Sequence, residues 1–190
     1  MSSKTTTQYA NALEKCKDIF FKKIQDYGSS WRMLRISSVT DQVFIKAQRI
    51  RSIEQKGESK IDEGIQPEFM GILNYSIIAL IQLELDEVVL TENEVEGDKL
   101  SLEEVTKFYN KHADFAQNLM MSKNHDYDEA WRDMRVSSFT DLILTKLMRI
   151  KQIEDNKGET VVSEGIDSNY YDIINYAIFA LIQLEEKEES

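Results

Sequence analysis

The chain is poor in the residues that build turn-rich or cross-linked proteins: of 190 residues, one is proline (Pro67), one is cysteine (Cys16) and seven are glycine. Sandwiches and small barrels need a turn signal roughly every ten residues, so this scarcity excludes most all-β architectures and leaves helices. A lone cysteine forms no internal disulfide and offers no zinc-ligand spacing, which points to a reducing compartment. On its helix Cys16 reads as a small apolar residue rather than a nucleophile. No Gly-rich phosphate loop, Ser-His-Asp context or zinc pattern is present, which sets aside P-loop and serine-hydrolase chemistry. No apolar segment follows Lys4, so no signal peptide is expected. The longest apolar stretches, 72–85 and 173–184, are broken by Asn, Tyr and Gln and fall short of the roughly 20 residues a membrane span needs. Positive charge is scarce as well. Lys plus Arg number 23 against 34 Asp plus Glu, a net charge of −11, which argues against a nonspecific grip on nucleic acid or an anionic membrane. A cytoplasmic protein without membrane contact is the expectation.

What is present is a core-forming composition, 42% hydrophobic and 30% charged, and an internal repeat. DYGSSWRMLRISSVTDQVFIKAQRIRSIE from Asp26 lies over DYDEAWRDMRVSSFTDLILTKLMRIKQIE from Asp126; one inserted residue later, the segment from Gly57 lies over that from Gly158. Across residues 26–84, 29 of 59 positions are identical. Two copies of this length suit a pseudo-symmetric pair mimicking a homodimer better than a solenoid. Further association of that pseudodimer is left open.

Residues 1–85 and 101–190 are therefore read as repeats, joined by an acidic linker over 86–100. Asp86 to Lys99 carries six acids and one base, residues 86–104 reach −7, and the tail 186–190 adds −2. Most of the negative charge thus belongs to connector and tail. Residues 20–84 hold nine Lys plus Arg against eight acids, so the repeat itself is not hostile to an anion.

Each repeat predicts the same helical plan, about three long helices and one short turn, and the fold class is all-α, as two tandem helical bundles. Ser101 with Glu104 is a capping box opening a helix to about Ser122, matched by a helix from about Thr6 to Gln25. Short turns follow around Trp31 and Trp131. Ser38 or Thr40, and Ser138 or Thr140, are expected to cap second helices ending near Gly57 and Gly158. Third helices begin near Pro67 and Ser168.

Many positions kept in both copies are polar, where plain core packing would keep Leu and Ile. Lys146 and Arg149 lie three apart on one helical face, and Lys46 and Arg49 repeat this. Cations on an apolar helix need anions, either a phosphate or carboxylate ligand or internal partners such as Asp126, Asp141 or Glu154. Lys123, Arg132 and Arg135 are further phosphate-binding candidates. Asp172 stands with Asn175 and Tyr176 on one face. It reads either as a metal ligand, with Glu164 and Asp126 completing an oxygen shell for Mg²⁺, or as a salt-bridge partner of Lys146 or Arg149. Because repeat one has Gly71 in its place, the metal reading makes only the second repeat competent. Trp131 and Tyr127 are candidates to contact a base, or Trp131 anchors its turn in the core. His112 and His125 have no counterparts in repeat one and are expected at the surface.

Lys123, Asp126-Tyr127, Trp131, Lys146-x-x-Arg149, Glu164 and Asp172-x-x-Asn175-Tyr176, with their counterparts in residues 20–84, resemble the nucleotide modification associated domain 1 family, formerly a domain of unknown function. Gly28 fits the pattern and Gly71 departs from it. The resemblance implies a helical domain tied to nucleotide metabolism or modification. More distantly the plan is similar to the all-α nucleoside triphosphate pyrophosphohydrolases, which use carboxylate-bound Mg²⁺ to activate water. Their Glu-Glu-x-x-Glu signature is missing here. The sequence thus supports two functional expectations: a small-molecule nucleotide binder, extending to Mg²⁺-dependent phosphohydrolysis, or a noncatalytic helical scaffold with buried charge networks.

Overall fold

A computed structural model describes residues 3–57, 64–85, 99–160 and 164–188. Among them are six α-helices, two 3₁₀ turns and no strand: α1 Ser3–Tyr27, α2 Ile36–Lys56, α3 Gln66–Leu85, α4 Leu102–Tyr127, α5 Val136–Asp155 and α6 Ile166–Glu188, with turns Ser30–Met33 and Ala130–Asp133 before α2 and α5. The expected plan of three long helices and one turn per repeat holds. Residues 86–98, most of the expected linker, lie outside the described residues.

Local chemistry explains several helix ends. Ser101 Oγ accepts from the Glu104 amide while the Glu104 carboxylate accepts from the Ser101 amide, so the capping box is formed. Gly57 closes α2 at φ +70, a conformation that costs glycine nothing. The expected Ser and Thr caps of α2 and α5 are not used. Those helices start at Ile36 and Val136, with Arg35 and Arg135 at the cap positions and no side-chain cap bond. Thr40 and Thr140 sit within the helices, where their hydroxyls are engaged across the molecule.

The pseudo-symmetric pair is one interlocked bundle. α3 and α6 pack side by side at the centre, α2 and α5 flank them and touch each other, and α1 and α4 lie across both. Burial follows from that place: residues 72–82 of α3 are buried except Tyr75, and residues 169–183 of α6 except Tyr176. Helices apolar on every side are core helices. By length and composition α3 is long and apolar enough to cross a membrane, but two-thirds of that stretch is buried inside the bundle.

Polar residues kept in both copies stitch the halves reciprocally. Tyr9 of α1 donates to Asn175 Oδ1 at 2.7 Å, and Tyr109 of α4 donates to Asn74 Oδ1 at 3.0 Å. Each Asn in turn donates to a carbonyl of its own repeat, Asn74 to Cys16 and Asn175 to Ala116. Thr40 donates to Glu154 and Thr140 to Glu54. Burial raises both glutamic acids above the usual carboxylate range, more than the threonine hydroxyls lower them.

Candidate functional site

In the second repeat the end of α4, the middle of α5 and the start of α6 bring Lys123, Lys146 and Asp172 together. The two Asp172 oxygens each accept from one ammonium at 2.6 Å, Oδ1 from Lys123 and Oδ2 from Lys146. Burial by itself would raise the Asp172 carboxyl; the two lysines outweigh it and hold it below the ordinary value. The Lys123 ammonium is correspondingly favoured, since Asp172, with Tyr176 and Glu164, outweighs its desolvation. Two turns further along α6, Phe179 is stacked on Trp131, with ring centroids 4.3 Å apart and planes 6° from parallel. The Arg132 guanidinium lies 4.4 Å from the Trp131 ring and is tied to Glu129, Glu186, Thr5 and Gln8. The tryptophan's stacking surface and the lysines' anion are therefore both supplied from within.

The other expected members of the site do not converge there. Arg135 and Arg149 are exposed. Asp126 is 76% exposed beside His125, and Glu164 is exposed at the edge of the described chain. The Tyr127 side chain lies outside the described residues. Among the described residues no group of three His, Cys, Asp or Glu side chains is placed to hold a metal ion, and Asp172 has spent both oxygens on lysines. The oxygen shell sketched for Mg²⁺ is not assembled among the described residues. Of the two alternatives for Asp172, the internal salt bridge is the one the geometry contains.

The equivalent place in the first repeat differs at two positions of one helix: Gly71 stands where α6 has Asp172, and Ile78 where it has Phe179. Lys46 and Arg49 are served by Glu68 instead, one turn earlier on α3, with Lys46 at 3.3 Å. Lys23, the counterpart of Lys123, is exposed and has no ion pair among the described residues. No aromatic ring stacks on Trp31 among the described residues. Where the missing carboxylate and ring would lie is a cavity of about 390 Å³, lined by Lys23, Trp31, Lys46, Gly71, Tyr75 and Ile78, within the range of about 300 to 1,000 Å³ typical of small-molecule sites. Tyr27, 70% exposed, stands at its edge. The Lys46 ammonium lies 5.8 Å from the Tyr75 ring. A Cβ at position 71 would meet the Lys46 chain at 2.8 Å, so the glycine is what lets that lysine lie over α3.

The site therefore moves: the repeat that lacks the aspartate has the open pocket. Other residues with defined roles escaped the sequence reading. Gln82 and Gln183 donate to the carbonyls of residues 31, 32 and 34 and of 131, 132 and 134, pinning both tryptophan turns to the central helices. Their signal was the shared Ala-Leu-Ile-Gln-Leu-Glu string. His112, expected at the surface, is 5% exposed and bonds Tyr171 at 2.8 Å, because α4 lies against α6 and the end of α3. His125 is exposed as expected. Cys16 is buried and its thiol is pushed up to about 12 by burial, with Glu185 adding to the shift, which suits an inert packing residue.

No curated protein and no solved structure matches the chain. The sequence pattern of one family, nucleotide modification associated domain 1, matches twice, over residues 23–83 and 123–184, the two segments that build the halves of the bundle. The chain is a tandem duplication that belongs to the nucleotide modification associated domain 1 family.

Proposed function

We propose that this protein binds a nucleotide in the cavity of its first repeat. The observation that carries the reading is the pair of lysines, Lys23 and Lys46, converging on a roughly 390 Å³ cavity that also holds Trp31 and Tyr75. Lysine supplies point charge for phosphate, and aromatic faces suit a base. The family's description lends the same direction. The reading is one of binding rather than hydrolysis. Among the described lining residues none is a carboxylate, the group that usually holds Mg²⁺ or activates water.

A noncatalytic scaffold is the second reading, favoured by a specific observation: the Tyr9–Asn175, Tyr109–Asn74, Thr40–Glu154 and Thr140–Glu54 bonds account structurally for much of the polar identity between the copies. Thermal melting with nucleoside mono-, di- and triphosphates, with and without Mg²⁺, separates the two. Binding at 100 times Kd stabilises by about 2.7 kcal/mol, a rise of several degrees that Lys23→Ala, at an exposed position with no ion pair among the described residues, should reduce with little effect on the unliganded melt. If no nucleotide moves the transition, the scaffold reading stands.

A further inference from the structure

The second repeat carries a clue to what the first one takes. On α6, Asp172 places one carboxylate between Lys123 and Lys146, and Phe179 places one flat ring on Trp131 at 4.3 Å. On α3 the same two positions are Gly71 and Ile78, and both line the cavity together with Lys23, Lys46 and Trp31. Carboxylate and ring are removed as a pair, while the lysines and the tryptophan they served are kept.

We infer that the second repeat is a self-filled copy of the first, and that its Asp172 and Phe179 mark the two groups a ligand brings to the first-repeat cavity: one anionic group between Lys23 and Lys46, and one planar ring on Trp31. The inference deepens the nucleotide reading above and rests on it for the ligand's name. Positions 71 and 78 are seven residues apart, about 10 Å along the helix, which leaves room for a sugar between ring and anion. Lys23, Lys46 and Arg49 less the one charge of Glu68 leave two positive charges to balance one dianionic phosphate, and no cation besides the two lysines lines the cavity among the described residues. The ligand class is thus a nucleoside monophosphate, or another aromatic compound with a single phosphate, rather than a triphosphate.

Two substitutions install in the first repeat what the second already carries. Gly71→Asp puts a carboxylate beside Lys46, whose flexible end has to move aside. Ile78→Phe puts a ring on Trp31. Calorimetric titrations of the full chain with adenosine, guanosine, cytidine and thymidine 5′-monophosphates, the free nucleosides, ribose 5-phosphate and 1-naphthyl phosphate read the outcome, with circular dichroism melts of each variant as the folding control. The expected result is one site per chain and a crossed pattern. Gly71→Asp weakens the monophosphates at least tenfold and spares the nucleosides; Ile78→Phe weakens monophosphates and nucleosides at least tenfold and spares ribose 5-phosphate. The double variant Asp172→Gly/Phe179→Ile empties the second repeat and raises the stoichiometry from one to two, which tests the idea without touching the first repeat. Monophosphates that bind with Kd changed less than twofold by both first-repeat variants overturn the inference and leave the nucleotide reading in place. Naphthyl phosphate bound in the crossed pattern, with no nucleotide bound, keeps the ring-plus-anion site and overturns the nucleotide reading. No binding of any probe overturns both.

Discussion

Trp131 and Trp31 occupy the same turn of the same repeat unit, both are more than nine-tenths buried, and their surroundings are opposite. Trp131 lies against Phe179 and under Arg132; Trp31 lines a cavity, and its neighbour Arg32 donates to Gln82. One duplicated element can thus carry a stacked ring in one copy and border a cavity in the other, where the central helix has Ile78 in place of Phe179. The comparison predicts unequal costs. Trp131→Ala should destabilise by about 4 kcal/mol, as large aromatic truncations in cores do. Trp31→Ala, which among the described residues forfeits neither a stacked ring nor a guanidinium over its face, should cost at least 1 kcal/mol less. Equal urea midpoints for the two variants would break the comparison at its root.

The ion clusters offer the next test. Asp172→Asn leaves Lys146, with 14% of its side chain exposed, without its carboxylate, and Lys123, at 49%, with Glu164 and solvent. The expected loss is about 2 kcal/mol at neutral pH, less than for a fully enclosed pair because Lys123 is half solvated. The sign with pH follows from the depressed Asp172 carboxyl. Its contribution is complete above the ordinary Asp value of about 3.9 and is lost as pH falls through the lower folded value. Denaturation midpoints of the native and Asp172→Asn proteins should therefore converge as the pH falls below about 4; a gap that stays constant would remove the ion pair from the account.

Much of the fold was legible because duplication wrote each helix twice. The Ser101–Glu104 box and the closing Gly57 are local signals, and both form; that α3 and α6 take the centre is set by the packing of the two copies. The functional place was legible only as a list of polar identities. Asp172 next to Asn175 looks like a ligand set when one helix is read alone; in the bundle α4 and α5 deliver two lysines onto it, and Asn175 is turned to Tyr9 and Ala116 instead. Gly71 read as a loss for the same reason. A usable signal was there: Gly71 and Ile78 are both smaller than their counterparts and lie seven apart, on one helical face, which is how two turns of a helix make room.

The asymmetry should stop at the site. Tyr9→Phe and Tyr109→Phe each orphan one buried Asn oxygen, Asn175 Oδ1 and Asn74 Oδ1. Each should cost about 1 to 2 kcal/mol, and the two should agree within about 0.5 kcal/mol. A large difference in chemical denaturation would mean the halves are clasped unequally as well.

The smallest effect concerns Glu54 and Glu154, which face each other's repeats through Thr140 and Thr40. Thr40 also meets the Tyr170 hydroxyl at 2.7 Å, where the first repeat has Phe69 in the equivalent position and offers no hydroxyl. Burial raises both carboxyls, so the folded chain holds these protons more tightly than the unfolded chain. Such a contribution is fully present below the ordinary Glu value of about 4.3 and is lost as pH rises through the folded value. Gln keeps the acceptor for the threonine hydroxyl and carries no charge to desolvate. Glu54→Gln and Glu154→Gln should therefore raise the melting temperature at pH 7.5 by about 1 °C each, a few tenths of a kcal/mol after solvent screening, with the gain vanishing near pH 4. A gain that persists unchanged at pH 4 would show that shape, rather than charge, sets the strain at this seam between the repeats.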